Sequence, residues 1–240
     1  MALPQLVEYY TKLFDSFEQV QDVVYFGDNY PSGEAFLKPF WIEKHERDLQ
    51  VVFESLEDNV SRKTMMNFLK AKVSGNAKHL NEGNVLKYSG EEYFNEIFPS
   101  FGQEIFVDGG AYDGYTYKQF LLSGIDYKKY YAFEPDYKNI EKLKTTVKND
   151  EKTYVCECGL YEEETNLYFS LSSSMSSKIS NELNGVKIPV INIDLVAPDA
   201  TFIKMDIEGA EYAALRGARR TIITNRPKLA ICCYHTIDDI

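Results

Sequence analysis

Glycine and acidic residues are concentrated in the segment VDGGAYDG, where an apolar run gives way to a polar one. Glycines between a strand and a helix let the backbone approach a ligand closely, and the N-terminus of the helix then faces that ligand. The spacing is G-G-x-x-x-G rather than the dinucleotide fingerprint G-x-G-x-x-G, and an aspartate leads it. Because a carboxylate repels a pyrophosphate but attracts a cation, this loop favours S-adenosylmethionine, with its sulfonium and amino groups, over NAD. The predicted cofactor contacts here are Asp108, Gly109, Gly110, Tyr112 and Gly114.

Two further strand ends supply predicted cofactor contacts. Glu134 follows Asp108 by 26 residues, the separation expected for a carboxylate that ends the next strand and binds the two hydroxyls of a ribose. The alternative is that Glu134 is a solvated charge at the end of a strand. Cys158 and Gly159 end a third strand, where small side chains leave room for an adenine ring.

The segment IKMDIEGAE brings together a fourth group of polar residues. One turn that carries Lys204, Asp206, Glu208 and Glu211 is costly to assemble unless it holds something cationic or hydroxylated. The two glutamates also have a structural explanation, because acidic side chains stabilise the first turn of a helix. His235 ends the next predicted strand and would lie beside Asp206 in the usual sheet order. A single histidine at such a position is either a structural hydrogen-bonding group or a general base.

Alternating strands and helices must position these residues. The predicted strands are EIFVDGGA, YYAFEP, TYVCECGLY, TFIKMDIEG and KLAICCYH, and the predicted helices between them are GYTYKQFLLSG, DYKNIEKLKTTVKND and AEYAALRGARRTII. Strands that are apolar on both faces and alternate with helices predict a doubly wound α/β fold with a mostly parallel sheet. Ligands bind such sheets beyond the carboxyl ends of the strands. The stretch from Leu160 to Ala200 predicts extended, hairpin-forming pieces around a serine-rich loop, which is either a linker or a lining of the ligand site.

The N-terminal part of the chain has the apolar spacing of helices instead. Helices are predicted from Pro4 onward, from about Ile42 to Leu56 and from about Asn59 to Val73. We therefore predict two regions: a mainly helical lead-in at residues 1–95 and a cofactor-binding domain at residues 96–240.

The composition of the 240 residues excludes several classes of protein. Lys and Arg total 26 against 37 Asp and Glu, so the net charge of −11 disfavours nucleic acid and anionic membrane surfaces as partners. No apolar run approaches the roughly 18 residues of a membrane-spanning helix, and the N-terminus lacks the layout of a secretory signal. The four cysteines form two close pairs that favour reduced thiols over a disulfide framework, and their spacings differ from the usual zinc-binding loop. We therefore expect a soluble, cytoplasmic protein whose cysteines form no metal centre.

Five segments, from roughly Glu104 to His235, carry a resemblance to a known family: FVDGGAYDGYT, AFEPD, CGLY, IKMDIEGAEYAALRGA and CCYH. Together they resemble the FkbM-type family of S-adenosylmethionine-dependent methyltransferases. The resemblance implies the class I methyltransferase fold and O-methylation of a hydroxyl on a sugar or another secondary-metabolite-like small molecule. Class I enzymes commonly have the loop D/E-x-G-x-G-x-G, in which Tyr112 here replaces the middle glycine. Asp108, Gly110 and Gly114 are then expected to contact the cofactor while Tyr112 covers it.

For such a reaction, we assign catalysis to His235, Asp206 and Glu208. Methyl transfer to an alcohol needs the acceptor oxygen held in line with the methyl group, and its proton must be removed. We expect His235 to be the base and Asp206 to orient it or to hold the acceptor hydroxyl, and we count Asp206 among the cofactor contacts as well. Glu208 and Glu211 are expected to bind substrate hydroxyls. A divalent metal ion on Asp206 and Glu208 is a third option.

Two other functions stay open: a nicotinamide-dependent oxidoreductase on a similar sheet, and a non-catalytic cofactor-binding or interaction protein with a degenerate methyltransferase fold. The length of the chain leads to a further expectation. A full class I sheet has two more strands after the one that ends at His235, and the five residues 236–240 leave no room for them. We therefore expect a domain that lacks its last strands, with an exposed strand edge that favours association into a homo-oligomer.

Overall fold

The structure is a computed structural model, and it describes residues 37, 39–74, 79, 93, 94, 102–170, 178–180 and 186–233. The described residues fall into two compact units, one with those up to residue 79 and one with those from residue 93 onward. The predicted helix from Pro4 and the predicted base His235 lie outside the described residues. The predicted domain boundary near residue 95 stays a prediction.

Among the described residues, the first unit includes the helices α1 (Pro39–Ser55) and α2 (Asn59–Ser74), where the apolar spacing predicts them. The carboxylate of Asp58 precedes α2 and accepts the backbone N–H of Ser61 at 2.8 Å, and this hydrogen bond lowers the pKa of Asp58. The helical character predicted for this part of the chain is therefore confirmed. Among the described residues, every helix is too short or too polar to cross a lipid bilayer.

The second unit alternates strands and helices for most of its length. Its elements are β1 (Glu104–Gly109), α3 (Tyr115–Leu122), β2 (Tyr127–Phe133), α4 (Tyr137–Val147), β3 (Thr153–Cys156), β4 (Gly159–Leu160), β5 (Thr165–Ser170), β6 (Lys178–Ser180), β7 (Val186–Ile191), α5 (Ile193–Val196), β8 (Phe202–Met205), α6 (Glu211–Gly217), α7 (Arg219–Asn225) and β9 (Lys228–Ile231).

Five of these strands form one sheet in the order β3–β2–β1–β8–β9, and every pairing in it is parallel. The chain moves outward from β1 to β3 and then returns to β8 on the other side of β1. The strand order therefore reverses between β1 and β8, and a reversal of this kind opens a crevice beyond the carboxyl ends of the strands. The predicted doubly wound α/β fold is confirmed.

Buried side chains cover both faces of this sheet, because neighbouring residues of a strand point to opposite faces. One face packs Phe106, Tyr130 and Phe202 against helices α3 and α4. The other face packs Val107 and Ile203 against α5 and α6. The helices thus lie on both sides of the sheet, and the strand tips between them carry the candidate site.

Helix α4 begins as its sequence predicts. Asp136 is the N-cap residue, and its carboxylate accepts two backbone N–H groups of the first turn at 2.7 and 3.3 Å. Ile140, Leu143 and Val147 form the buried face, as their spacing predicts. The cap fixes the start of α4 with three residues between it and the end of β2, so the polar residues of this connection are held at the edge of the crevice.

The prediction of TYVCECGLY as a single strand is wrong, because β3 and β4 belong to different sheets. The N–H of Cys158 donates to the carbonyl of Cys156 at 2.8 Å, and this tight turn ends the pairing with β2. Strand β4 joins a second sheet in the order β4–β7–β5–β6, in which β5 is antiparallel to both neighbours. The hairpin character predicted after Leu160 is therefore confirmed.

The prediction of AEYAALRGARRTII as one helix is also wrong, since α6 and α7 are separated at Ala218. The carboxylate of Asp194 accepts the backbone N–H groups of Arg220 at 2.9 Å and Thr221 at 2.7 Å, and so caps α7. Gly217 ends α6 where a Cβ atom would lie 2.2 Å from the carbonyl oxygen of Tyr161. The absence of a Cβ atom at Gly217 lets the end of α6 approach the loop after β4 closely.

Candidate functional site

A cavity of about 630 Å³ lies where the strand order reverses, beyond the carboxyl ends of β1, β2 and β8. Its size is within the range of small-molecule and cofactor sites, roughly 300–1,000 Å³. Six residues that the sequence predicts as site residues line it: Gly110, Tyr112, Glu134, Gly159, Asp206 and Glu208. The structure thus brings together residues from four separate segments of the chain.

The glycine loop after β1 turns sharply into this cavity. Gly110 and Gly114 have φ angles of +73° and +89°, in the left-handed region that glycine adopts readily. Tyr112 has a φ angle of +51°, so it takes a conformation that an L-residue adopts at a cost of about 1–2 kcal/mol. The position of the middle glycine in the common class I loop is therefore occupied here by a tyrosine in a left-handed backbone conformation.

The N–H groups of this loop point toward the end of β2. Those of Gly110 and Ala111 both donate to the carbonyl oxygen of Phe133 at 3.0 Å, and that of Tyr112 donates to Oε2 of Glu134 at 2.9 Å. Dinucleotide-binding loops instead direct N–H groups at a pyrophosphate. A phosphate in this cavity would have to compete for these three N–H groups with two internal acceptors, the carbonyl of Phe133 and the carboxylate of Glu134.

Glu134 is held in place by the loops on either side of it. Besides Tyr112, its carboxylate accepts the N–H of Asp136 at 2.8 Å and the side-chain amide of Asn139 at 3.4 Å. Only 6% of Glu134 is exposed, and this burial raises the pKa of the carboxyl group above its usual value. Glu134 is therefore an oriented carboxylate rather than a solvated strand-end charge.

Asp108 is fully buried and has internal partners, and it is not among the residues that line the cavity. Its Oδ1 accepts from the ammonium group of Lys204 at 2.9 Å, and its Oδ2 accepts from the hydroxyl of Tyr130 at 2.6 Å. Burial raises the pKa of Tyr130 well above its usual value, so this hydroxyl stays a donor. A direct contact between Asp108 and a cationic ligand remains a prediction, as does one with Gly109 or Gly114.

The turn after β8 is tied to the glycine loop. The N–H of Asp206 donates to the carbonyl of Gly109 at 3.1 Å, and Oε1 of Glu211 accepts the N–H of Ile207 at 2.8 Å. Glu208 has a φ angle of +59° and faces the same cavity as Asp206. Glu211 is only 3% exposed and stabilises the turn, so a contact with substrate stays a prediction for it.

Strand β4 contributes another part of the cavity wall. Gly159 and Leu160 line the cavity, whereas Cys158 precedes them in the turn. Burial raises the pKa of Cys156 to about 12 and that of Cys158 to about 11, so both thiols are protonated at neutral pH. In the part of the chain that the structure describes, no group of three or more His, Cys, Asp or Glu residues is arranged to hold a metal ion.

Asn139 and Lys204 also line the cavity, although the sequence did not assign either of them a role in the site. Asn139 lies in the first turn of α4, where its side-chain amide donates to Glu134. A polar residue in the first turn of the helix that follows a strand-end carboxylate could have indicated this contact. Lys204 is buried between β1 and the cavity, with its ammonium group 5.4 Å from the centre of the Tyr93 ring. Nothing in the local sequence indicates which carboxylate it meets.

A doubly wound parallel sheet with a ligand cavity at its switch point is the architecture expected of an α/β fold of the methyltransferase type. The family model named Methyltransferase FkbM domain matches residues 108–239, and the chain accordingly belongs to the FkbM methyltransferase family. The resemblance inferred from the sequence motifs is thereby confirmed.

A solved structure agrees with this assignment. The chain is similar to the methyltransferase FkbM from Methylobacillus flagellatus KT, with 28% sequence identity and a TM-score of 0.67. The similarity covers 82% of this chain and 50% of that protein, so the chain spans about half the length of this relative. The comparison with curated proteins found no match.

Proposed function

We propose that this protein is an S-adenosylmethionine-dependent methyltransferase that transfers a methyl group to a hydroxyl of a small molecule, of the sugar or secondary-metabolite kind. The observation that carries the proposal is the oriented carboxylate of Glu134. It lies at the edge of the cavity, with two backbone N–H groups and one amide fixing its direction. A carboxylate in this place after the second strand is suited to accept the hydroxyls of a ribose.

The residues present fit such a cofactor. Glu134 would bind the ribose hydroxyls, and Gly159 with Leu160 would flank the adenine, because they form a small and apolar wall of the cavity. The loop from Gly110 to Tyr112 would lie along the remainder of the cofactor. When bound, S-adenosylmethionine supplies a methyl group on a positively charged sulfur.

The direction of the loop N–H groups favours this cofactor over a dinucleotide. Because the N–H groups of Gly110, Ala111 and Tyr112 already have acceptors within the protein, a pyrophosphate gains little from this loop. A nicotinamide-dependent oxidoreductase is the less favoured candidate for this reason.

The acidic turn after β8 would act on the acceptor. Asp206 and Glu208 face the cavity from the side opposite Glu134's strand, and their carboxylates would hold hydroxyl groups of the acceptor in position. Asp206 or His235 would take the proton of the reacting hydroxyl. Tyr112 and Tyr115 are more than half exposed and also line the cavity, so their rings are available to an acceptor at its mouth.

Glu134→Gln is expected to weaken S-adenosylmethionine binding by roughly 10- to 150-fold, the value of a hydrogen bond to a charged group. The measurement is calorimetry with S-adenosylmethionine, S-adenosylhomocysteine and NAD on the full chain. Glu157→Gln is the matched control, because Glu157 follows the end of the neighbouring strand but is exposed and is not among the cavity residues. Wild-type protein that binds NAD and neither sulfur compound, or equal binding by both variants, contradicts the proposal.

The same affinity is expected to depend on pH through Glu134. Burial raises the pKa of this carboxyl group, so the folded apoprotein takes up its proton at a higher pH than the unfolded chain does. A bound ribose favours the ionised form, and affinity should fall by up to about tenfold for each pH unit below that pKa. Calorimetry from pH 7 downward measures this, and Glu134→Gln should remove most of the dependence. An identical slope in the variant would assign the effect to another group.

A further inference from the structure

We infer that Lys204 is a positioning residue for the proposed cofactor site, which holds the glycine loop in shape from the buried side. The identity of the ligand in this inference rests on the proposed function, whereas the hydrogen bonds of Lys204 are independent of it. Held by Asp108, the ammonium group binds the carbonyls of Gly109 and Gly110 and so sets the direction of the turn that follows.

The hydrogen bonds of Lys204 match its chemistry closely. An ammonium group has three N–H donors, and Nζ lies 2.9 Å from each of three acceptors: Oδ1 of Asp108, the carbonyl of Gly109 and the carbonyl of Gly110. Lys204 is 2% exposed and Asp108 is 0% exposed. The bonds to Asp108 and Gly109 are buried and the bond to Gly110 is partly buried, so each is stronger than it would be at the surface.

The loop requires such a donor because of its own conformation. The left-handed φ of Gly110 turns the N–H groups of the loop toward β2, and the carbonyls of Gly109 and Gly110 toward Lys204. Without the ammonium group, the carbonyl of Gly109 keeps the N–H of Asp206 as a donor, whereas the carbonyl of Gly110 loses its bond to Lys204. The loop is then expected to turn the carbonyl of Gly110 toward the cavity, into the space that the cofactor would occupy.

A second buried ion pair in the same sheet provides a control. Lys228 binds the carboxylate of Glu104 at the amino ends of the strands, with side-chain exposures of 11% and 3%. Buried ion pairs as such add little to stability compared with apolar residues. If Lys204 only filled the core, the two lysines would behave alike.

The experiment compares Lys204→Met with Lys228→Met in the full chain. Hydrogen–deuterium exchange without ligand is followed in peptides that cover residues 109–114, and calorimetry gives the dissociation constant for S-adenosylhomocysteine. For Lys204→Met, we expect exchange in this loop to be about tenfold faster and binding to be about tenfold weaker, as local opening and loss of preorganisation predict. For Lys228→Met, we expect wild-type values in both measurements.

The outcomes separate the inference from the proposed function. Wild-type protein that binds no sulfur compound contradicts the proposed function, while the exchange data still decide the role of Lys204. Equal loop exchange in the two variants overturns the inference. If Lys204→Met does not fold, the double variant Asp108→Leu with Lys204→Met leaves no lone buried charge. If the loop at residues 109–114 exchanges as slowly in this double variant as in the wild type, the inference is overturned as well. Faster exchange of the loop in the double variant supports the inference.

Discussion

Gly110→Ala is expected to lower the free energy of unfolding by roughly 3 kcal/mol or more, through left-handed strain and a steric clash. A Cβ atom at Gly110 would lie 2.0 Å from the carbonyl oxygen of Asp206 and 3.0 Å from its carbonyl carbon. Both are backbone atoms, and the hydrogen bond from Asp206 to Gly109 holds them near the loop. Because neither strand tip can yield easily, we also expect the cavity to lose its shape and its ligand affinity. Denaturant unfolding measures the first effect and calorimetry the second.

Gly124→Ala is the matched control for this substitution. Gly124 has a φ angle of +69°, close to that of Gly110, but a Cβ atom there would have no described atom within 4 Å beyond its own chain neighbours. The control therefore carries the strain of a left-handed alanine, roughly 1–2 kcal/mol, without the clash. Equal losses in the two variants would mean that the contact with Asp206 does not constrain the loop.

Asp108→Leu is expected to lower the free energy of unfolding by roughly 3–5 kcal/mol, because it leaves the ammonium group of Lys204 buried without its counter-charge. The double variant Asp108→Leu with Lys204→Met should regain a large part of this loss, since it buries no charge. Chemical unfolding of the three proteins at pH 7 measures the difference, provided that the dependence on denaturant is the same for each.

An exposed ion pair in the same unit sets the scale for this result. Lys129 and Asp199 are 3.1 Å apart and are 38% and 48% exposed, so Asp199→Asn should cost less than about 1 kcal/mol. A loss of this small size in Asp108→Leu would contradict the view that the buried pair is shielded from water. A double variant as unstable as the single one would indicate that the hydroxyl of Tyr130, rather than the charge, requires Asp108.

Local patterns predicted those parts of the fold that local chemistry decides. Asp136 caps α4 because a short carboxylate at a helix start can bond to the next N–H groups, which needs no information from elsewhere in the chain. Apolar runs predicted β1, β2, β8 and β9, since a buried parallel strand must be apolar on both faces. Glu134 was predicted as a site residue because strand ends of a parallel sheet meet at one edge.

Features that depend on distant partners escaped prediction. The predicted helix is interrupted at Ala218 because Asp194 caps the helix that follows, and Asp194 and Ala218 lie 24 residues apart in the sequence. The local sequence places Lys204 in an acidic turn that holds a ligand, whereas strand order places it opposite Asp108 on β1. Lys204 is therefore explained by its buried ion pair with Asp108, whereas Asp206 and Glu208 line the cavity and remain candidate ligand-binding residues.

The cavity joins two kinds of structure that can change independently over evolutionary time. The strand tips that form its interior are joined by main-chain hydrogen bonds among β1, β2 and β8, which many side chains would leave intact. Its mouth is made by the side chains of Tyr112 and Tyr115, which are 54% and 56% exposed. Substitutions at the mouth therefore alter what approaches the site without rebuilding its interior. We expect related proteins with this loop to differ in their acceptors more than in their cofactor.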